Sequence, residues 1–172
     1  MTALVIGGSA SGKSEFAERL VTRYPAPRFY VATMEPFGAA AEARIARHRV
    51  LRAERGFVTI EQYTSLAELR LPARGSVLLE CLGNLAANEI FSPSGVGISA
   101  ELAADAIVQG VISLAAQCDN LVLVGNDVFA DGLRYEFETV RYAEILGAAT
   151  RALAAFCGEA FEVVCGIPLR LK

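Results

Sequence analysis

The sequence predicts a three-layer α/β fold: a mostly parallel sheet, covered on both faces and ended by an antiparallel C-terminal edge strand. Short apolar runs bounded by Gly, Pro or Asn alternate with longer stretches of helical period, the pattern of parallel strands joined by helical crossovers. The last apolar run is set off by Gly166-Ile167-Pro168 and turns back as the edge. At 172 residues and 53% hydrophobic, the chain has material for one large core and one domain spanning residues 1–172.

The elements follow in order. A strand over Ala3–Ile6 precedes a helix over Gly12–Arg23, and a strand over Arg28–Ala32 precedes a helix over Ala39–Arg55. Strand Val58–Glu61, a short helix Leu66–Arg70 and strand Ser76–Glu80 come next, then helices Leu85–Phe91 and Ala100–Gln117. Strand Leu121–Val124, helix Tyr135–Phe156 and strands Phe161–Cys165 and Leu169–Lys172 complete the chain. The helices are Ala-rich, with Leu, Ile and Val at three- and four-residue spacing, and so bury one stripe against the sheet. Segments 92–97 and 126–134 are irregular. Ligands of parallel sheets bind beyond the strand carboxyl ends, which makes the second segment a candidate site loop and the first a weaker one.

Composition excludes several classes. A formal charge of -3 and an isoelectric point near 5.3 argue against a nucleic-acid-binding surface spread over the whole molecule. The longest apolar stretches, such as Val77 to Leu79 and Leu121 to Val124, fall far short of the roughly 20 residues a membrane span requires. The N-terminus has no basic lead-in and enters a strand directly, so the expectation is a cytoplasmic protein without a signal peptide. Cys81, Cys118, Cys157 and Cys165 show no metal-ligand spacing and read as reduced core thiols.

The strongest motif is Gly7-Gly8-Ser9-Ala10-Ser11-Gly12-Lys13-Ser14, an ungapped GxxxxGK[ST] directly after a strand and directly before a helix. Its glycines let backbone N–H groups turn inward around an anion, and the helix N-terminus adds its dipole. Lys13 reaches the β- and γ-phosphates and Ser14 ligates Mg²⁺, which makes ATP or GTP the expected substrate. Such a loop needs an acid at the tip of a neighbouring strand, and Glu80, ending an apolar strand, is the natural candidate to assist metal or acceptor. Asp127, beyond Leu121–Val124, is a second candidate; Asn-Asp pairs are also common turn residues.

His48 sits in a segment where Arg44, His48, Arg52 and Arg55 share one helical face. Cationic neighbours favour the neutral imidazole, a nucleophile able to attack the α-phosphorus of a nucleoside triphosphate, while the guanidiniums bind phosphates. A solvated Arg-rich face carrying an incidental His is the alternative reading.

These residues resemble the bifunctional adenosylcobinamide kinase/adenosylcobinamide-phosphate guanylyltransferase family of cobalamin biosynthesis, over nearly the whole chain. The resemblance rests on the phosphate loop with Ala17-Glu18, Tyr30-Val31-Ala32-Thr33, Arg44-Ile45-x-x-His48 with Arg52, and Thr59-Ile60-Glu61. It continues through Leu78 to Leu82, Asn84, Asn88, Asn126-Asp127-Val128 and the terminal Gly166-Ile167-Pro168-Leu169-x-Leu171-Lys172. It implies a P-loop NTPase-like kinase fold and two reactions on one corrinoid arm. A triphosphate phosphorylates the aminopropanol hydroxyl, then GTP donates GMP to that phosphate through guanylylated His48. It further implies nucleotide contacts at Thr33, Arg44, Arg52, Glu61 and Glu80, and a ring-forming homotrimer.

The chain departs from the family pattern at three places. Gly38 to Ala41 stand where an acidic stretch is usual, and Phe57 where Trp is common. Between Gly132 and Thr150 a proline, one Arg (now Ala143) and an Asn are lost, and Glu144 replaces Asp. These changes leave open a single-activity kinase or a paralogue acting on another alcohol. A GTP-binding regulatory module is a third reading, against which stands the lack of an NKxD guanine-reading motif.

Overall fold

The computed structural model describes residues 1–36, 45–46, 50, 52–91, 99–128 and 136–172. Among the described residues seven strands form one sheet: β1 (Thr2–Gly7), β2 (Arg28–Ala32), β3 (Phe57–Glu61), β4 (Ser76–Glu80), β5 (Asn120–Asn126), β6 (Glu159–Val164) and β7 (Ile167–Arg170). Their order is β3-β2-β4-β5-β1-β6-β7. Neighbours from β3 to β6 pair in parallel, and β7 returns antiparallel to β6. The expected edge strand therefore forms, starting at Ile167 rather than Leu169. Cys165 and Gly166 both carry positive φ, +50° and +82°, and a two-residue turn of that kind reverses the chain at once.

Among the described residues, helices α1 (Lys13–Thr22), α2 (Leu82–Phe91), α3 (Ala100–Gln117) and α4 (Phe137–Phe156) cover the sheet. Strand residues alternate between two cores with the period of two that a pleat imposes. Leu4, Val31, Leu79 and Leu123 pack with α2, α3 and α4, whereas Val5, Tyr30, Leu78 and Val122 pack with Phe16, Ala17, Leu20 and Val21 of α1. Each such buried aliphatic side chain contributes about 1.5–3 kcal/mol relative to exposure.

Two helices differ from expectation. The segment read as helix over Leu66–Arg70 is a single 3-10 turn, Leu66–Glu68; Leu69 is extended, and Arg70 Nη1 donates to the carbonyls of Ala67 and Leu69 that a longer helix would have used. α2 begins at Leu82 instead of Leu85, immediately after β4, with Leu85 N donating to Cys81 O. Of the helix predicted over Ala39–Arg55, residues 45–46, 50 and 52–55 are described, helical except for Arg55, which lies in the turn before β3. Among the described residues no helix is long and apolar enough to cross a membrane.

Register aligns the strand ends. Gly7 pairs with Asn126, Ala32 with Glu80, and Glu80 with Val124, so β2, β4, β5 and β1 bring their carboxyl ends to one edge. In open parallel sheets this edge is where ligands bind.

Candidate active site

The loop from Gly7 to Ser14 wraps the end of β1. A Cβ on Gly7 would lie 2.6 Å from both Ser11 Oγ and Val163 O, which restricts the position to glycine. Gly12 caps α1 with φ +91°, and its missing Cβ would stand 3.2 Å from Gly166 Cα. Gly166 N in turn donates to Ser11 O at 2.8 Å, so the β6–β7 turn braces the loop from below. Inside the loop, Gly8 O accepts from Ser11 N at 3.3 Å and from Lys13 Nζ at 3.0 Å. Lys13 is 8% exposed. Ser11 Oγ is buried and has no hydrogen-bond partner among the described residues. A buried lysine and an unpartnered buried hydroxyl in one glycine-rich loop at a helix N-terminus suit an anion.

Glu80, at the tip of β4, closes the other side. Its Oε1 accepts from Ser14 Oγ at 2.5 Å and its Oε2 from the Tyr30 hydroxyl at 2.6 Å. Arg52 Nη2 donates to the Tyr30 hydroxyl at 2.7 Å, and the guanidinium lies 3.4 Å from the ring centroid. Burial pushes the Tyr30 phenol far above its ordinary range, and the Glu80 charge pushes the same way against the opposing effect of Arg52. The phenol is thus a permanent proton donor to the carboxylate. Phe57, the residue standing in place of the usual Trp, packs edge-on against it, with ring centroids 6.1 Å apart.

Behind Glu80, Thr33 is fully buried. Its hydroxyl accepts from Cys81 N at 2.7 Å and donates to Cys81 O at 2.8 Å, and its N–H donates to Glu80 O. Asn88 Nδ2 donates to Thr33 O at 2.7 Å and to Tyr63 O at 3.0 Å. Cys81 lines the cavity, and burial raises its thiol pKa, favouring the neutral form.

A cavity of about 580 Å³ opens over this edge. Ser9, Ala10, Lys13 and Ser14 form one wall; Tyr30, Ile45, Arg52, Thr59 and Glu61 form the opposite one; Glu80, Cys81, Asn84 and Asn126 form the floor. Of the expected nucleotide contacts, Ser9, Ala10, Lys13, Ser14, Arg52, Glu61 and Glu80 therefore line one space, with Gly7, Gly8, Ser11 and Gly12 building the loop beneath. Thr33 does not line it; its hydroxyl is committed to the Cys81 backbone, which gives it a supporting place instead. Asp127 is exposed and outside the lining, and its N–H donates to Gly7 O at 3.0 Å. His48 and Arg44 lie outside the described residues.

Sequence reasoning assigned no role to Tyr30 or Asn84, and placed Asn126 only at the start of a candidate site loop. Tyr30 carried a signal: a hydroxyl on the inward face of an otherwise apolar strand must find a partner, and the nearest strand-end polar group was Glu80. Asn84 follows the end of β4 and Asn126 ends β5, positions that bear function in such sheets.

Magnesium fits the donor set. Hydroxyl and carboxylate oxygens of Ser14 and Glu80 face one another beside the phosphate loop, and Mg²⁺ takes one or two such protein oxygens together with substrate phosphates.

Fold and site together define a P-loop enzyme that uses nucleoside triphosphates. The fold is shared with a solved ATPase domain, at TM-score 0.51 and 8% identity, covering 94% of this chain and 68% of that one. Residues 3–171 match the cobinamide kinase / cobinamide phosphate guanyltransferase family, and the chain belongs to it. It is 33% identical to the bifunctional adenosylcobalamin biosynthesis protein CobU of Escherichia coli K12, with both chains covered in full. It is also 27% identical to CobP of Pseudomonas aeruginosa, over all of this chain and 98% of that protein. The family unites two transferase activities, a kinase and a guanylyltransferase.

The departures from the family pattern fall on both sides of the described set. Residues 132–135 lie outside it, whereas Ala143 and Glu144 are on α4, half-buried and exposed respectively. Their neighbour Tyr142 donates to Gly83 O at 3.3 Å, in the first turn of α2 beside Cys81. Burial pushes its phenol up to about 12.

Proposed function

We propose that the chain phosphorylates the aminopropanol hydroxyl of adenosylcobinamide and then transfers GMP from GTP to the resulting phosphate, giving adenosyl-GDP-cobinamide. The observation that carries the proposal is the convergence of Lys13, Ser14 and Glu80 on one cavity in a chain that matches the family from residue 3 to residue 171.

In the first reaction the loop N–H groups and Lys13 hold the β- and γ-phosphates of ATP or GTP. Ser14 and Glu80 hold Mg²⁺, which when bound neutralises charge on the phosphate oxygens. The corrinoid hydroxyl attacks the γ-phosphorus in line, the bond to the β-bridging oxygen breaks, and the hydroxyl proton passes to solvent or a nearby carboxylate oxygen. In the second, the neutral imidazole of His48 attacks the α-phosphorus of GTP and pyrophosphate leaves. The substrate phosphate then displaces the imidazole from the guanylyl group and regenerates it. Arg44 and Arg52 steady phosphates in this step.

Incubation with α-labelled GTP leaves acid-labile, base-stable label on the protein, and His48→Ala abolishes it while keeping cobinamide phosphorylation. A chain that never takes up label, yet forms cobinamide phosphate without GDP-cobinamide, is a kinase alone.

The same reading includes a homotrimer in the cytoplasm. Ile167, Leu169 and Leu171 stand exposed at the β7 edge of the sheet, an apolar surface that supports self-association. All four cysteines are free, which supports a reducing compartment; Cys81, Cys118 and Cys157 are core thiols as expected, whereas Cys165, in the turn between β6 and β7, is exposed.

A further inference from the structure

Tyr30 lies in the core and at the reacting edge at once. It sits two residues upstream of Ala32, on the same pleat face, and Ala32 pairs with Glu80. Two residues of strand rise about 6.6 Å, a distance a phenol leaning along the strand spans. The ring is 1% exposed and held edge-on by Phe57. One ring face carries the Arg52 guanidinium, and both neighbours of the hydroxyl belong to the site: it donates to Glu80 Oε2 and accepts from Arg52 Nη2.

The last torsion of a glutamate is broad and two-fold, so a carboxylate at a strand tip does not by itself choose a direction. Here each oxygen has its own donor, Tyr30 on Oε2 and Ser14 on Oε1, which sets the plane of the carboxylate. Phenylalanine would fill the same core volume, but could neither orient Glu80 nor accept from the guanidinium.

We infer that Tyr30 is a positioning residue of the site: its hydroxyl turns Glu80 so that Oε1 faces Ser14. This rests on the reading of Ser14 and Glu80 as the magnesium-holding pair. Outer-shell partners of this kind are worth about 10–100-fold in metal affinity or activity.

The test is nucleotide affinity of Tyr30→Phe measured by calorimetry with Mg²⁺ and again in EDTA. The expected result is a loss of about tenfold or more in the Mg²⁺-dependent gain in affinity, with affinity in EDTA changed less than about twofold. In a Glu80→Gln background the substitution then adds nothing further. A full Mg²⁺ gain in Tyr30→Phe, or an equal loss with and without the metal, overturns the inference. If Tyr30→Phe does not fold, 3-fluorotyrosine placed at position 30 keeps both ring and hydroxyl. Its fluorine resonance shifts with Mg²⁺–nucleotide and stays still with nucleotide in EDTA; a resonance unmoved by either, or moved equally by both, overturns the inference. None of these measurements uses a corrinoid, so absence of cobinamide phosphorylation in the unaltered chain would count against the proposed function and leave this inference standing.

Discussion

The two walls of the cavity are built in opposite ways. The loop wall is one contiguous run from Gly7 to Ser14, whereas the facing wall draws Tyr30 from β2, Arg52 from the segment before β3, and Thr59 and Glu61 from β3 itself. The loop wall is held by backbone groups: its own turns, the helix it caps and the Gly166 N–H beneath it. The facing wall is held by side chains, in the series Arg52, Tyr30, Glu80, Ser14. Local backbone conformation shapes the first and one distant N–H braces it, while the second exists only once sheet register has brought separate strands level.

The largest effect is expected at Lys13 in the loop wall. Removing one charged donor from a preorganised phosphate site costs about 10²–10³ in rate, so Lys13→Ala should lose at least that much phosphoryl transfer, measured as kcat for cobinamide phosphorylation, with the melting temperature preserved. If the two walls meet on one triphosphate, guanylylation falls with it. If guanylylation persists unchanged, the walls serve separate nucleotides.

An intermediate effect is expected behind the facing wall. Asn88→Ala leaves the carbonyls of Thr33 and Tyr63 without that donor, and a buried orphan costs about 1–3 kcal/mol. Since Thr33 also holds the backbone of Glu80 and Cys81, thermal stability and Mg²⁺-dependent nucleotide affinity should decline together. A drop in stability alone would separate the support from the site.

The smallest is at the brace beneath the loop. At Gly166 an added Cβ meets nothing within 4 Å, so only the left-handed φ of +82° opposes substitution. Gly166→Ala should cost about 1–2 kcal/mol, and each kcal/mol lowers Tm by about 2–4 °C in a domain of this size. Nucleotide affinity should hold, because the backbone N–H that reaches Ser11 remains. A loss of affinity would mean the loop wall tolerates no shift of its brace.

Much of the architecture was legible in advance. Parallel strands, the antiparallel edge and the strand-loop-helix setting of the motif each follow from local periodicity and turn residues. Leu66–Arg70 was misread because its apolar spacing matches a helix turn, while Arg70 folds back to satisfy the carbonyls and stops it. Glu80 was legible as a carboxylate ending an apolar strand. Thr33 was placed among the nucleotide contacts by its motif, whereas the fold turns its hydroxyl onto the Cys81 backbone.

By itself the amino-acid sequence determined the anion-binding loop, because eight successive residues carry their own backbone preferences. It determined too that an acid would stand at the end of β4. Only the tertiary structure decided that Tyr30, fifty positions away from Glu80, supplies the hydroxyl that orients it, and that the C-terminal turn sits under the loop. Periodicity reports which face a side chain takes. It carries no information about which strands become neighbours or in what register, and those two quantities decide which polar groups meet.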